Sequence, residues 1–261
     1  MDDVMSVLLN QPSYRRGQVT PDEDTRNRFK EHYKRKLLEY GYEERVPRNT
    51  DILARYMASY YLDAVPKGLC LIGDTGTGKT HAMEMLSKLF GKVPIIRARD
   101  SVEWYQTCGP KRRTVFWEDY DRLPHKCYYN EPGKPNKEPY NIIGMDLILD
   151  DIGTEVSLNE FGTKVEVMDS VVDRRYEAWR NKQAMTHITC NLAIAKAYCV
   201  KCRSASIGAK KCNDCGSTDI CRSTGDDDLL TRYGKRFYSR LHEMCYVFIF
   251  GGPDQRLKES N

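Results

Sequence analysis

The spacing of apolar residues changes period several times along the chain, and each change marks an element. Asp22 to Tyr40 is a charged stretch containing RNRFKEHYKRK (26–36) and predicts a helix that Gly41 and Pro47 punctuate. From Thr50 to Leu62, Ile52, Leu53, Tyr56, Met57 and Tyr60 share one helical face. GLCLIG (68–73) is then a short, wholly apolar strand, and THAMEMLSKLF (80–90) returns to helical spacing. VPIIRA (93–98) predicts a strand and SVEWYQTC (101–108) a short helix. DLILDDI (146–152) is a strand entering a loop, 159–180 a long helical pattern, and MTHITC (185–190) a strand. A helix over about 228–243 and the strand CYVFIF (245–250) follow. Strands that alternate with helices predict an α/β fold, a parallel sheet covered by helices on both faces. Residues 1–21 look irregular, and 109–141 is too long and aperiodic for an ordinary connection, which marks it as an insert.

Composition narrows the class. Forty-one Lys and Arg against 37 Asp and Glu leave a net charge of +4, too small for a purely electrostatic DNA binder but compatible with a local basic patch. The first residues, MDDVMSVLLNQPSYRRGQ, do not read as a secretory signal, and no apolar run approaches the roughly 18 residues that span a bilayer. A soluble, cytoplasmic protein without membrane association is expected. The ten cysteines are then not a disulfide framework. Six are scattered, mostly in apolar surroundings, and read as small buried hydrophobes.

GDTGTGKT (73–80) satisfies G-x-x-x-x-G-K-[ST], with an apolar strand before it and a helical pattern after it. Glycines let the backbone curl so that successive N–H groups of Asp74, Thr75, Gly76, Thr77 and Gly78 face a phosphate. The helix that starts there adds its positive end. Lys79 supplies a point charge to the β- and γ-phosphates, and Thr80 a hydroxyl to Mg²⁺. Such a loop implies a second strand ending in an acid that holds the metal. DLILDD supplies it: Asp150 for the Mg²⁺ shell, and Asp151 where a water-activating carboxylate belongs. Asp is one methylene shorter than the usual Glu, which leaves open slow hydrolysis or a differently placed water.

DLILDDIGTE, VVDRR (171–175), THITCNL (186–192) and YGKRFYSRL (233–241), in that order after the phosphate loop, resemble the helicase-loader (DnaC/IstB-like) branch of the AAA+ ATPases. The resemblance covers roughly residues 65–250. It implies a P-loop AAA+ core with ATP bound at the interfaces of a homo-oligomer. In that pattern Asn191, at the tip of its strand, orients the attacking water; it could also cap the following helix. Arg240 best matches the arginine that reaches a neighbouring subunit's γ-phosphate, with Arg236 second. Arg174 and Arg175 match a further family position, either interface contacts or helix-surface charge. Little chain follows 245–250, so no C-terminal helical lid is expected, as in the loaders.

Cys199-x-x-Cys202, nine residues, then Cys212-x-x-Cys215 is metal-ligand spacing. Two tight thiolate pairs suit a tetrahedral Zn²⁺ with no open position, hence a structural knuckle inserted over 196–222; a redox dithiol or buried cysteines are the alternatives. Its basic residues contact DNA or form a solvated face.

The expected organisation is an N-terminal helical partner-docking region over 1–64 and an ATPase core over 65–261. The basic helix at 26–36 could touch DNA or be a solvated face. The resemblance implies ATP-dependent loading of a replicative helicase in DNA replication; the DNA expected with it is single-stranded, with duplex DNA left open. The alternatives are a transposition helper that delivers DNA to a transposase, and a nucleotide-regulated scaffold with little turnover.

Overall fold

The computed structural model describes residues 22–42, 46–62, 67–91, 93–107, 146–182, 184–193, 197–199, 217–218, 220–222 and 228–251. The insert 109–141 and most of the cysteine stretch therefore lie outside the described residues. The chain divides into two compact units, Met1–Pro66 and Lys67–Asn261.

Among the described residues, the first unit holds a pair of packed helices, α1 (Glu23–Glu39) and α2 (Pro47–Leu62). Asp22 caps α1 by accepting from the Thr25 amide at 2.7 Å, with Glu23 and Asp24 in the first turn beside the positive helix end. The helix stops at Gly41, whose φ of 90° lets the amides of Gly41 and Tyr42 reach back to the carbonyls of Leu38 and Leu37. Helix α2 begins at Pro47, three residues before the expected start, because a proline at the first helical position loses no hydrogen bond. Phe29, Tyr33 and Leu37 of α1 and Leu53, Tyr56, Met57 and Tyr60 of α2 are buried, and the Tyr33 and Tyr61 rings stack at 5.3 Å. Part of the basic run is spent within the unit: Lys30 pairs with Asp51 of α2, Arg28 with Asp24 and Lys36 with Glu39.

The second unit is α/β. Five parallel strands, β1 (Gly68–Ile72), β2 (Ile95–Arg97), β3 (Leu147–Ile152), β6 (Thr186–Cys190) and β9 (Cys245–Ile249), lie in the order β2-β3-β6-β1-β9. Strand residues alternate between two faces. Cys70, Ile72, Leu147, Leu149 and Ile188 pack against helices α4 (Ala98–Thr107), α5 (Val167–Lys182) and α6 (Leu229–Met244). The intervening residues face the other way, where α3 (Lys79–Leu89) contacts β3 and β6 and the His187 ring stacks on Phe90. Burial on both faces explains why these strands read as continuous apolar runs. Among the described residues, no helix is long and apolar enough to cross a membrane.

Two expectations change. The helical pattern at 159–180 begins only at Val167; before it stand β4 (Leu158–Glu160) and β5 (Thr163–Val165), an antiparallel hairpin. Phe161 and Gly162 at its tip have φ of 51° and 81°, the doubly left-handed torsions of a tight hairpin turn that no helix can contain. Helix α6, capped by Asp228 through the Thr231 amide, is broken at Gly234, with φ 85° and ψ 177°. A small ribbon, β7 (Ala197–Cys199) with β8 (Ile220–Arg222), brackets the cysteine stretch. Cys202, Cys212 and Cys215 lie outside the described residues, and Cys199 is described only as strand backbone. Among the described residues, no group of His, Cys, Asp or Glu side chains is arranged to hold a metal. Cys70, Cys190 and Cys245 are buried and unbridged, as small hydrophobes would be.

Candidate functional site

The loop of the GDTGTGKT motif leaves the carboxyl end of β1. The Gly73 amide donates to the Cys190 carbonyl at 3.2 Å, and a Cβ at Gly73 would meet the Phe250 carbonyl oxygen at 2.0 Å, so no side chain fits between β6 and β9. Gly76 and Gly78 hold left-handed torsions, φ 84° and 88°. Gly78 is the N-cap of α3 and has no side chain to cap it, which leaves the helix's first amides facing the loop. Asp74 and Thr75 are exposed; Thr77 is buried and its hydroxyl donates to the Asp74 carbonyl at 2.9 Å.

Lys79 is only 4% exposed. Its Nζ donates to the carbonyls of Gly73 at 2.8 Å and Asp74 at 2.7 Å, and to Thr77 Oγ1 at 3.4 Å. The ammonium thus sits inside the loop's curl. Burial pushes its pKa below the usual lysine value, against the pull of Asp151, Cys190, Asp74 and Asp150.

Thr80 Oγ1 donates to Asp150 at 3.0 Å, and Thr189 Oγ1 donates to the same carboxylate at 2.6 Å. Asp150 is 1% exposed, and its burial raises its pKa, with the Asp151 charge adding to the rise and the two hydroxyls opposing it. A threonine hydroxyl and a carboxylate side by side are hard oxygen donors of the kind Mg²⁺ takes. Asp151 lies where the β3–β6 register shifts, and its φ is 58°. That left-handed torsion turns it off the strand's path. Its amide is held by Thr189 Oγ1 at 2.8 Å, and its carboxylate accepts from Asn191 Nδ2 at 3.4 Å.

Lys79, Thr80, Asp150, Asp151 and Asn191, picked out from three separate stretches of sequence, are thus gathered at the carboxyl ends of β1, β3 and β6. Sequence reasoning missed Thr189. Its signal was the alternation in THITC, which is informative only once β6 is known to lie beside β3. It also missed Glu155, Arg232 and Tyr233, which close around the turn after Asp151.

Arg236 and Arg240 are not part of this gathering. Arg240 stands five residues before Cys245, which pairs with Gly68 at the amino end of β1, so the last turns of α6 lie at the opposite end of the sheet. Both arginines pair with Asp173 of α5, Arg236 at 3.0 Å, and the Arg240 guanidinium lies 5.0 Å from the Tyr176 ring centre. With Arg174, Glu177 and Asn181 they line a groove of about 370 Å³. Arg175 is no interface residue. It is 2% exposed, and it donates through Nε to Thr186 Oγ1 at 2.8 Å and through a terminal nitrogen to the Met185 carbonyl at 3.0 Å, tying α5 to the start of β6.

No family model matches the chain, and no curated protein matches it.

Proposed function

We propose that this chain binds and hydrolyses ATP with Mg²⁺, as an AAA+ protein of helicase-loader type. The observation that carries the reading is the convergence of Lys79, Thr80, Asp150, Asp151 and Asn191 around one helix amino end. Crevices outside the carboxyl ends of parallel strands are where open α/β sheets place ligands. Lys79 exchanges its loop carbonyls for phosphate oxygens, and the uncapped amides of α3 take the remaining negative charge. The Thr80 hydroxyl and the Asp150 carboxylate would hold Mg²⁺, and the chemistry it would supply when bound is charge neutralisation at the phosphates. Asp151 accepts the proton of the attacking water, and Asn191, bonded to Asp151, fixes the direction in which that carboxylate points. Arg240, remote from its own chain's centre, serves the centre of a second copy. The partner is a replicative helicase on single-stranded DNA, and residues 199–215 hold one structural Zn²⁺ per chain.

The test is a titration with ATP and Mg²⁺ followed by a phosphate-release assay. The wild type should bind and turn over. Asp151→Asn should bind ATP within about twofold of wild type and release phosphate at least about a hundredfold more slowly, the span expected for loss of a general base. No binding by the wild type overturns the reading, and unchanged turnover in Asp151→Asn removes that residue from the base role.

A further inference from the structure

The turn that follows Asp151 is held by a helix far away in sequence, and the way it is held gives three residues a task. Residues 151–155 reverse the chain on leaving β3, with φ of 58° at Asp151 and 97° at Gly153. A left-handed torsion at a non-glycine costs about 1 kcal/mol or more, so it persists only where the surroundings determine it. Inside the turn, the Thr154 amide and hydroxyl both donate to the Asp151 carbonyl, at 3.2 and 2.8 Å. A Cβ at Gly153 would meet the Leu192 side chain at 2.7 Å, so the turn is also pressed against the end of β6.

The Glu155 side chain is wholly buried, folded back to accept from the Gly153 amide at 2.8 Å. Two residues of α6 complete its surroundings. The Tyr233 hydroxyl donates to the Glu155 carboxylate, and the Arg232 guanidinium lies 3.4 Å from it. Arg232 also donates to two backbone carbonyls of the turn, Gly153 at 2.6 Å and Glu155. Tyr233 is itself fixed, stacked on Phe237 with ring centres 4.4 Å apart. One carboxylate, one phenol and one guanidinium therefore bind the turn through its amide, its carbonyls and its buried carboxylate.

We infer that Glu155, Arg232 and Tyr233 form a clamp that holds Asp151 in its left-handed conformation and so aims its carboxylate at the attacking water. They are positioning residues and touch no phosphate. The inference rests on the ATPase reading for its kinetic consequence but not for its structural one. A largely enclosed guanidinium serving two carbonyls and a carboxylate suits this task, because its planar fork fixes three acceptors at once. Arg232 and Tyr233 bond the turn after Asp151, so removing the clamp should lower turnover and spare ATP affinity.

Two measurements test it on the full chain. In amide hydrogen exchange, Tyr233→Phe and Arg232→Lys should each speed exchange of the Gly153 and Thr154 amides by about tenfold, the equivalent of one hydrogen bond lost, while the Ala82 amide of α3 keeps wild-type protection. In steady-state kinetics the same variants should lose about tenfold in kcat with the Kd for ATP within about threefold of wild type. Arg232→Lys should retain more activity than Arg232→Ala, since a lysine restores the charge and some of the bonds. Unchanged Gly153 and Thr154 exchange overturns the clamp whatever the protein does with nucleotide. Faster exchange with unchanged kcat, or kcat and affinity falling together, overturns its role in aiming Asp151. A wild type that binds no ATP overturns the ATPase reading, and the exchange result then still decides the clamp.

Discussion

Lys79 and Asp150 at the carboxyl ends of the strands are 4% and 1% exposed, and each is bonded from several sides within the chain. Arg236 and Arg240 at the amino ends share a single carboxylate, Asp173, and the Arg236 side chain is 69% exposed. The first arrangement is preorganised: its bonds are made in a dry interior, and leaving one unmade costs about 1–3 kcal/mol. An ion pair as exposed as Arg236–Asp173 is worth at most about 1 kcal/mol. Its partner can be exchanged cheaply, which is what a contact to be made and released between molecules needs. The comparison separates a buried centre bonded from several sides from a groove whose outer ion pair, Arg236–Asp173, is held weakly.

The largest effect should come from the first region. Lys79→Ala removes a buried charge whose acceptors remain, and ATP affinity should fall by about a thousandfold in a calorimetric titration. An unchanged affinity would end the distinction, because the interior centre would then not be where nucleotide goes.

Arg240→Ala should do the reverse, leaving affinity near wild type and lowering turnover about a hundredfold, as expected of a group that acts on charge developing in the transition state. Mixing Lys79→Ala with Arg240→Ala should restore part of the activity, since some pairs of copies then join an intact loop to an intact arginine. If mixtures stay inactive while the copies demonstrably exchange, the groove does not serve a neighbour's centre.

A smaller effect concerns the dryness of the sheet beneath the first region. His187 of β6 is fully buried, accepts from the Leu69 amide at 3.3 Å, and has its pKa pushed down to about 4 from 6.5 by burial. The folded chain keeps it neutral, whereas the unfolded chain protonates it below 6.5. Its contribution is therefore complete above that pH and is lost as pH falls towards 4, a change of about 3 kcal/mol. Urea unfolding at pH 7 and pH 4.5 should show a steeper acid loss in the wild type than in His187→Gln. Equal losses would mean that the interior admits water.

How much of this was readable beforehand depended on distance along the chain. GDTGTGKT declared its loop because strand, glycines, lysine and helix are contiguous. Asp150, Asp151 and Asn191 each sit at a strand end, a position that apolar runs mark well. The Thr189 hydroxyl, by contrast, reaches Asp150 across 39 positions, and Tyr233 reaches Glu155 across 78. No periodicity within either segment carries that information. The β4–β5 hairpin was hidden because its strands are three residues each, too short to establish a period against the helix that follows. Arg175 read as an interface contact or as surface charge because its acceptors, Thr186 and the Met185 carbonyl, lie on another element.

Arg232, Arg236 and Arg240 are spaced four apart, and on an unbroken helix they would form one stripe facing one target. Gly234 falls between the first and the second. Its torsions, φ 85° and ψ 177°, are the mirror image of an extended strand, a region closed to L side chains for torsional reasons even though nothing lies within 4 Å of a Cβ built there. The glycine is thus a phase break in a periodic row. It turns Arg232 towards the carbonyls of Gly153 and Glu155, while Arg236 and Arg240 stay in register with Asp173. One achiral residue lets a single short helix present the same cation to two ends of the sheet.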